Sequence, residues 1–300
     1  MLLANSVLLV VACGAVLLGT IYPLVIDALN LGKLSVGAPY FNAVFVPLLI
    51  PVLFLIVPGS VSHWKESRIA DIAKRVRFPA IGAVLVAIVG PFAMGGWSWG
   101  AALGLLLAAW VALGTAMQIV ERLRKPGRIP SSFYGMHLAH LGMAVAVTGI
   151  TLVKAYEVER DVRMGLNDTV AIGQYTFKLR DVTQVPGPNY KAMRGDFEVT
   201  KNGSAVTTLQ PEKRAYFSST MPMTEAAIDS GALRDLYVSL GEEIDGTAGE
   251  PRSWSVRVYY KPFIGWLWAG VLLMVAGGLL AAGDRRYRKK IQAQAKLQQA

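Results

Sequence analysis

Two histidines within one apolar stretch are the residues of this chain best suited to chemistry. His137 and His140 lie in Phe133–Val153, which has no charged residue and is long enough to cross a membrane. An imidazole at that depth is costly to place, so it marks a functional site. It can bind a metal such as haem iron, hydrogen-bond to another helix or relay a proton. Because no apolar stretch contains an acidic residue to continue a relay, iron ligation and the interhelical hydrogen bond remain as the alternatives.

The spacing of these histidines limits how they can bind iron. Residues three apart lie on the same side of a helix, with Cβ atoms about 5–6 Å apart. Two axial ligands approach a porphyrin from opposite faces, so His137 and His140 cannot both bind one iron. His63 lies in a charged loop, and His137 is near enough to the cytoplasmic end to reach the membrane interface. A second histidine ligand must therefore come from another polypeptide, and Met94 or Met143 is the alternative.

The two sides of this histidine-bearing helix differ in residue size. Small residues repeat along one side at spacings of four and three, which is typical of closely packed membrane helices: Gly135, Ala139, Gly142, Ala146 and Gly149. The histidine side carries Ala144, Thr148 and Thr151 instead, and Ala144 leaves room for a flat ligand one turn beyond His140. The pattern predicts that one side packs on a neighbouring helix and the other faces a bulky group.

The composition places the histidines in a membrane protein. Of 300 residues, 53% are hydrophobic, which is high for a soluble domain of this length. Apolar stretches long enough to span a bilayer are Ser6–Val25, Phe41–Val57, Phe78–Met94, Trp99–Val120, Phe133–Val153 and Phe263–Gly283. The second contains Pro47 and Pro51 and ends at Pro58, so we expect it to be kinked or broken. The single cysteine, Cys13, excludes a disulfide framework and a cysteine-rich metal site.

Charge predicts the orientation of these spans. Lysines and arginines concentrate after the second and fourth spans and in the tail, whereas the loops after the first and third spans contain only Lys33. The positive-inside rule then places both termini in the cytoplasm and residues 154–260 outside. The net charge of +10 arises from the inner segments, because the outer one has 13 basic and 15 acidic residues. Because the basic residues form no single patch, we expect no nucleic-acid-binding surface.

The residue pattern of the outer segment predicts a β-domain. Short alternating runs suggest strands at Thr169–Leu179, Asp196–Thr200, Ala205–Leu209, Leu236–Leu240 and Ser253–Tyr260. Residues Lys201–Ser204, with the sequence Lys-Asn-Gly-Ser, predict a hairpin turn between two of them. We expect a meander or partly closed barrel in which Met221–Leu233 forms a loop with a short helix. The segment has no histidine or cysteine, which argues against a transition-metal site there.

Together these features predict an integral membrane protein. Its architecture is an α-helical bundle of about six transmembrane helices, with a periplasmic β-rich domain inserted between the last two. The expected boundaries are 1–153 for five transmembrane helices, 154–260 for the periplasmic domain, 261–283 for the last helix and 284–300 for a basic cytoplasmic tail.

Seven stretches, spread over nearly the whole chain, carry a resemblance to a known family. They are Leu2–Asn5, Leu31–Asn42, Tyr134–Gly142, Tyr156–Met164, Met223–Asp229, Arg234–Tyr237 and Val256–Phe263. They resemble the C-terminal half of the CcmF/NrfE family of haem lyases, which act in bacterial cytochrome c biogenesis. In that family the histidine of the Ala-His-Leu-Gly stretch is an axial ligand of a membrane-embedded haem b. The resemblance therefore implies that His140 binds haem iron and gives His137 no such role.

The resemblance also implies that the chain is incomplete as a lyase. The family's other three functional histidines and its tryptophan-rich haem-handling loop belong to the N-terminal half and have no counterpart here. We therefore expect a natural split subunit or a truncated product, with the N-terminal half as the partner that supplies the second haem ligand. No catalytic residue is identified in this chain.

The activity implied is the attachment of haem to apocytochrome c outside the bacterial inner membrane. In the family two thiols of a Cys-x-x-Cys-His substrate add to the haem vinyl groups while the buried haem b supplies electrons, with quinol as a possible source. The implied partners are a haem chaperone, the apocytochrome and its thiol-reducing subunit, and the outer domain is expected to help dock them. The alternatives are a non-catalytic structural assembly subunit and a quinone-coupled cytochrome b subunit.

Overall fold

The computed structural model describes residues 2–62, 68–244 and 252–284. His63 and the basic tail beyond Asp284 lie outside the described residues. The described helices are α1 (Leu2–Ala28), α2 (Ala38–Val61), α3 (Ile69–Ala93), α4 (Trp99–Leu123), α5 (Ser131–Tyr156) and α6 (Ile264–Ala282). All six are long and apolar enough, by length and composition, to cross a membrane. The six predicted apolar stretches thus all form helices.

Helix α3 begins well before the apolar stretch that predicted it. It starts at Ile69 and not near Phe78, so several charged residues expected in a loop are helical. Asp71 lies in the first turn, where a carboxylate interacts favourably with the helix dipole. Arg75, one turn further, forms an ion pair with Glu121 of α4. Charge marked the end of the apolar segment, but it did not mark the end of the helix.

Helix α2 continues through Pro47, Pro51 and Pro58 as one helix, so of the predicted kink or break, the break is wrong. A proline has no N–H to donate to the carbonyl four residues earlier, and for Pro58 that carbonyl belongs to Phe54. Trp110 of α4 supplies the missing donor, because its Nε1 lies 2.9 Å from Phe54 O. The rings of Phe54 and Trp110 also stack, with centroids 5.8 Å apart.

Further along the same pair of helices the contacts change from aromatic to polar. Gly114 of α4 lets Val57 approach so closely that a Cβ atom at Gly114 would lie 2.6 Å from a Val57 methyl group. One turn on, Gln118 donates from Nε2 to Ser60 Oγ at 2.8 Å. Helix α4 is therefore held to α2 along three successive turns.

Helices α5 and α6 pack backbone to backbone. A Cβ atom at Gly135 would lie 2.5 Å from Gly277 O, and one at Gly142 would lie 2.6 Å from Gly270 O. This confirms that the small-residue side of α5 packs on a neighbouring helix, and it identifies the neighbour as α6. At the end of this seam, Ser132 N donates to Asp284 Oδ2 at 3.0 Å, which satisfies an unpaired amide at the start of α5.

The chain divides into two compact units, one of residues up to 151 and from 267 onward, the other of residues 152–266. The second unit contains the strands β1 (Val158–Gly165), β2 (Thr169–Ile172), β3 (Tyr175–Pro186), β4 (Tyr190–Lys201), β5 (Ser204–Leu209), β6 (Glu212–Tyr216), β7 (Met223–Glu225), β8 (Ala227–Ser230), β9 (Arg234–Ile244) and β10 (Ser253–Pro262). They form one sheet in the order β1-β10-β9-β8 and another in the order β2-β3-β4-β6-β7, with β5 paired to β4.

Both sheets contribute to one hydrophobic core, so the domain is a sandwich and the prediction of a meander or partly closed barrel is wrong. Phe177 and Phe197 from one sheet and Leu236 and Val256 from the other are all fully buried in it. The predicted helix within Met221–Leu233 is also wrong, because β7 and β8 occupy that segment. The predicted hairpin is confirmed, with Asn202 and Gly203 at positive φ between β4 and β5.

Candidate functional site

His137 is buried inside the helical unit, where neighbouring side chains enclose its ring. It is 2% exposed, and its ring lies 4.0 Å, centroid to centroid, from that of Phe133. Its Nδ1 is 2.7 Å from Phe133 O. Because a carbonyl only accepts, Nδ1 carries the hydrogen and Nε2 keeps a free lone pair. That Nε2 is buried and makes no hydrogen bond to the described residues.

His140 presents its two ring nitrogens differently. The residue is partly exposed, and its Nδ1 is buried without a hydrogen-bond partner in the part of the chain that the structure describes. Its Nε2 is not among the buried atoms that lack a partner, and no described residue forms a hydrogen bond with it, so this nitrogen lies at the less enclosed edge of the ring. The ring centroid lies 6.4 Å from that of His137. The two imidazoles are neighbours, but only His140 can reach a group outside the helical unit.

The arrangement fits iron ligation at His140 and not at His137. An axial ligand needs one accessible nitrogen with a free lone pair, while the other nitrogen is held by the protein. His140 meets the first condition through Nε2, whereas the corresponding atom of His137 is enclosed by protein. The described residues contain no group of three or more His, Cys, Asp or Glu placed to hold a metal. Of the two histidines, His140 is therefore the one that could hold a porphyrin iron.

The methionines do not complete the site. Met143 is three residues from His140 on the same side of α5, so it cannot approach the opposite porphyrin face. Met94 follows the last residue of α3. Gly90 of α3 contacts Leu105 of α4, and Gly104 of α4 contacts Thr151 of α5. Met94 therefore lies near the Thr151 end of α5, about 14 residues, or roughly 21 Å, from the level of His140. Neither methionine is an opposing ligand within this chain.

The side of α5 beyond His140 is covered and not open. Ala144 is 4% exposed and lies in one buried cluster with Val111 and Val147. Further along, a Cβ atom at Gly104 of α4 would overlap the side chain of Thr151. The prediction that Ala144 leaves room for a flat ligand is therefore wrong, because α4 fills that space. A planar group bound by His140 would be held at Nε2 of the ring.

Sequence reasoning missed one residue of this region, Thr115 on α4. It is fully buried at 0% exposure, and its Oγ1 makes no hydrogen bond within residues 2–62, 68–244 and 252–284. A buried hydroxyl without a partner is rare and needs an explanation. A threonine in an apolar helix is unremarkable in sequence, so only the burial and the missing partner identify it.

Among the described residues of the β-sandwich, Glu212 is the centre of a buried ion-pair network. Glu212 is 6% exposed and accepts from Arg214 Nε at 2.8 Å and from Arg194 Nη2 at 2.6 Å. The hydrogen bond from Arg214, with the second from Arg194, holds the pKa of Glu212 below its ordinary value. The network ties neighbouring strands together and offers no free acid or base for catalysis.

Comparison with known proteins extends over nearly the whole chain. Residues 155–262 match the family described as the CcmF C-terminal beta-sandwich. The cytochrome c-type biogenesis protein CcmF of Pseudomonas fluorescens is 40% identical over 97% of this chain. CcmF of Escherichia coli K12 is 41% identical over 98%, and NrfE of Haemophilus influenzae is 33% identical over 96%. The chain covers 44% of the first of these relatives and 45% of the other two.

A solved structure shares the fold. It is a cytochrome c heme lyase CcmF, which matches with a TM-score of 0.70 at 20% identity. The match covers 92% of this chain and 44% of that one. Sequence relatives and the structural match thus agree that the chain spans less than half of a longer architecture.

Proposed function

We propose that this chain is the C-terminal part of a membrane haem lyase. The premise is its match, over nearly its whole length, to the C-terminal part of CcmF. The chain would act in the attachment of haem to apocytochrome c. The observation that carries the proposal is the accessible Nε2 of His140 on an apolar helix. An imidazole there suits an axial ligand of a haem b inside the membrane.

The residues of this chain hold and orient that ligand. A bound haem b would supply one-electron chemistry that keeps iron reduced. Gly135 and Gly142 fix α5 against α6, so the helix carrying His140 is held by backbone contacts that allow little sliding. The cluster around Ala144 and Val111 excludes water from the inner side of the ring. The surrounding low dielectric favours the neutral imidazole that iron requires.

The second axial ligand would come from the N-terminal half of the same lyase, together with the tryptophan-rich loop that handles incoming haem. We further propose the bacterial inner membrane as the location, with both termini cytoplasmic and residues 154–260 periplasmic. The near-neutral charge of that segment, beside basic inner loops, supports this orientation. The β-sandwich would then help dock the haem chaperone, the apocytochrome or its thiol-reducing subunit, and quinol is the proposed electron source.

The test is the haem spectrum of this chain co-expressed with its N-terminal half. His140→Ala should abolish the b-type absorbance, and added imidazole should restore part of it in His140→Gly, because Nε2 faces accessible space. Thr148→Ala is the matched control on the same helix, since its hydroxyl bonds only to its own backbone at Ala144 O. An unchanged b-type spectrum in His140→Ala would show that the ligand assignment is wrong.

The same preparations separate the alternative functions. A complex that contains no iron, with cytochrome maturation unaltered in His140→Ala, would favour a structural assembly subunit. A haem signal with maturation defects that extend beyond c-type cytochromes would favour a cytochrome b subunit of another electron-transfer complex. Deletion of residues 154–260 should weaken binding of the haem chaperone or the apocytochrome, and unaltered binding of both would remove the docking role.

A further inference from the structure

Thr115 of α4 differs from Thr148, a partly buried threonine on α5. Thr148 of α5 donates to the carbonyl four residues earlier, Ala144 O, at 2.8 Å, which is the usual arrangement for threonine inside a helix. The Oγ1 of Thr115 makes no such bond and has no partner among the described residues, although the residue is 0% exposed. Its hydroxyl is therefore directed away from its own backbone acceptor.

The helix register places Thr115 opposite His140. Helices α4 and α5 are joined by the short segment 124–130, so they run antiparallel. They touch where Gly104 meets Thr151. Thr115 lies eleven residues after Gly104, and His140 lies eleven residues before Thr151. Eleven residues are about 16 Å and almost three whole turns, so both residues stand at one level on the facing sides.

Two further observations agree with this register. Val111 lies seven residues after Gly104 and Ala144 lies seven residues before Thr151, and both belong to one buried cluster. Gln118 lies fourteen residues after Gly104 and His137 lies fourteen residues before Thr151, and both are buried. The amide nitrogen of Gln118 is already bonded to Ser60 Oγ and Gly114 O. Gln118 therefore has no amide hydrogen left for His137.

The unpartnered atoms at this level match as donors and acceptors. They are Nδ1 of His140, Oγ1 of Thr115 and Nε2 of His137. When Nε2 of His140 binds iron, its Nδ1 carries a hydrogen and can only donate. The Nε2 of His137 can only accept, because Phe133 O occupies its Nδ1–H. A hydroxyl accepts and donates at once, so among the unpartnered atoms of the described residues the Thr115 hydroxyl can satisfy both histidines.

We propose that Thr115 positions His140 by linking it to His137. Its hydroxyl accepts from Nδ1 of His140 and donates to Nε2 of His137, each directly or through one water molecule. The inference rests on the proposed function, in which His140 binds iron through Nε2. The link fixes the tautomer that leaves Nε2 free, sets the plane of the ring and makes the imidazole a stronger electron donor.

The experiment compares Thr115→Val, Thr115→Ser and Thr148→Val in the complex with the N-terminal half. Valine matches threonine in shape, so melting temperatures should stay close to that of the unmodified complex. Thr115→Val should raise the midpoint potential of the haem b, because its ligand becomes a weaker donor, and should lower haem affinity about 10-fold. Serine at position 115 should restore both values, and Thr148→Val should change neither.

Two results would overturn the inference while the haem site stands. One is a Thr115→Val complex with an unaltered potential, unaltered electron paramagnetic resonance and unaltered haem affinity. The other is an equal change in Thr148→Val, which would point to a general packing effect. If the unmodified complex contains no b-type haem, the proposed function itself is wrong, and the positioning role of Thr115 is overturned with it.

Discussion

Gly142 of α5 lies against Gly270 of α6 so closely that a Cβ atom on either would come within 2.5–2.6 Å of the other's carbonyl oxygen. Backbone atoms cannot move aside as a flexible side chain can, so neither position accepts a larger residue without separating the helices. Gly142 is two residues from His140. The helix that carries the proposed ligand is therefore fixed by a contact that only glycine permits.

Enlarging Gly142 should loosen this seam. We expect Gly142→Val to destabilise the helical unit by about 1–3 kcal/mol, the usual cost of overpacking a close contact. The measurement is detergent-induced or thermal unfolding of the purified complex, with haem content as a second signal. Gly278→Ala is the matched control on α6, because a Cβ there meets nothing within 4 Å. Equal melting curves for Gly142→Val and the control would contradict the prediction.

The hydrogen bond from Trp110 should stabilise α2 because Pro58 leaves Phe54 O without its helical donor. Trp110→Phe removes the donor to Phe54 O and leaves that carbonyl unpaired on an apolar helix, at a cost of about 1–3 kcal/mol. Pro58→Ala restores an N–H that can donate to the same carbonyl. The loss caused by Trp110→Phe should therefore be smaller in a Pro58→Ala background.

A double-mutant cycle on the unfolding free energy measures this coupling. Strict additivity of the two substitutions would show that the indole hydrogen bond does not compensate for the proline.

The β-sandwich should lose stability in acid through Glu212. Its pKa is lowered in the folded protein by the hydrogen bond from Arg214, so its contribution is fully present above the ordinary carboxyl pKa near 4.5. It is lost as the pH falls through the lower, folded value. Glu212→Gln should reduce stability by about 1–3 kcal/mol at neutral pH, because one partner of a mostly buried network is removed.

Below pH 5, the stability of Glu212→Gln should depend less on pH than that of the unmodified chain. The measurement is the melting temperature of the full chain at each pH. Glu243→Gln is the control, since Glu243 pairs with a largely exposed Arg252 and such pairs contribute little. If the stability of Glu212→Gln falls in acid as steeply as that of the unmodified chain, other carboxylates cause the acid sensitivity.

The sequence determined the features that depend on local residue type. Apolar length alone identified all six helices, and the Asn202–Gly203 pair identified its hairpin because positive φ strongly favours those residues. The stripe that includes Gly135 and Gly142 correctly indicated a close helix contact, since small side chains let the backbones of membrane helices approach each other.

Only the tertiary structure decided which faces meet. The sequence could not show that α4 covers Ala144, that His137 is enclosed, or that Trp110 donates to a carbonyl left free by Pro58. It also could not distinguish a sandwich from a barrel, because sheet closure depends on pairing between strands far apart in the chain. Thr115 stands opposite His140 through the crossing of two helices, and no local pattern records where one helix touches another.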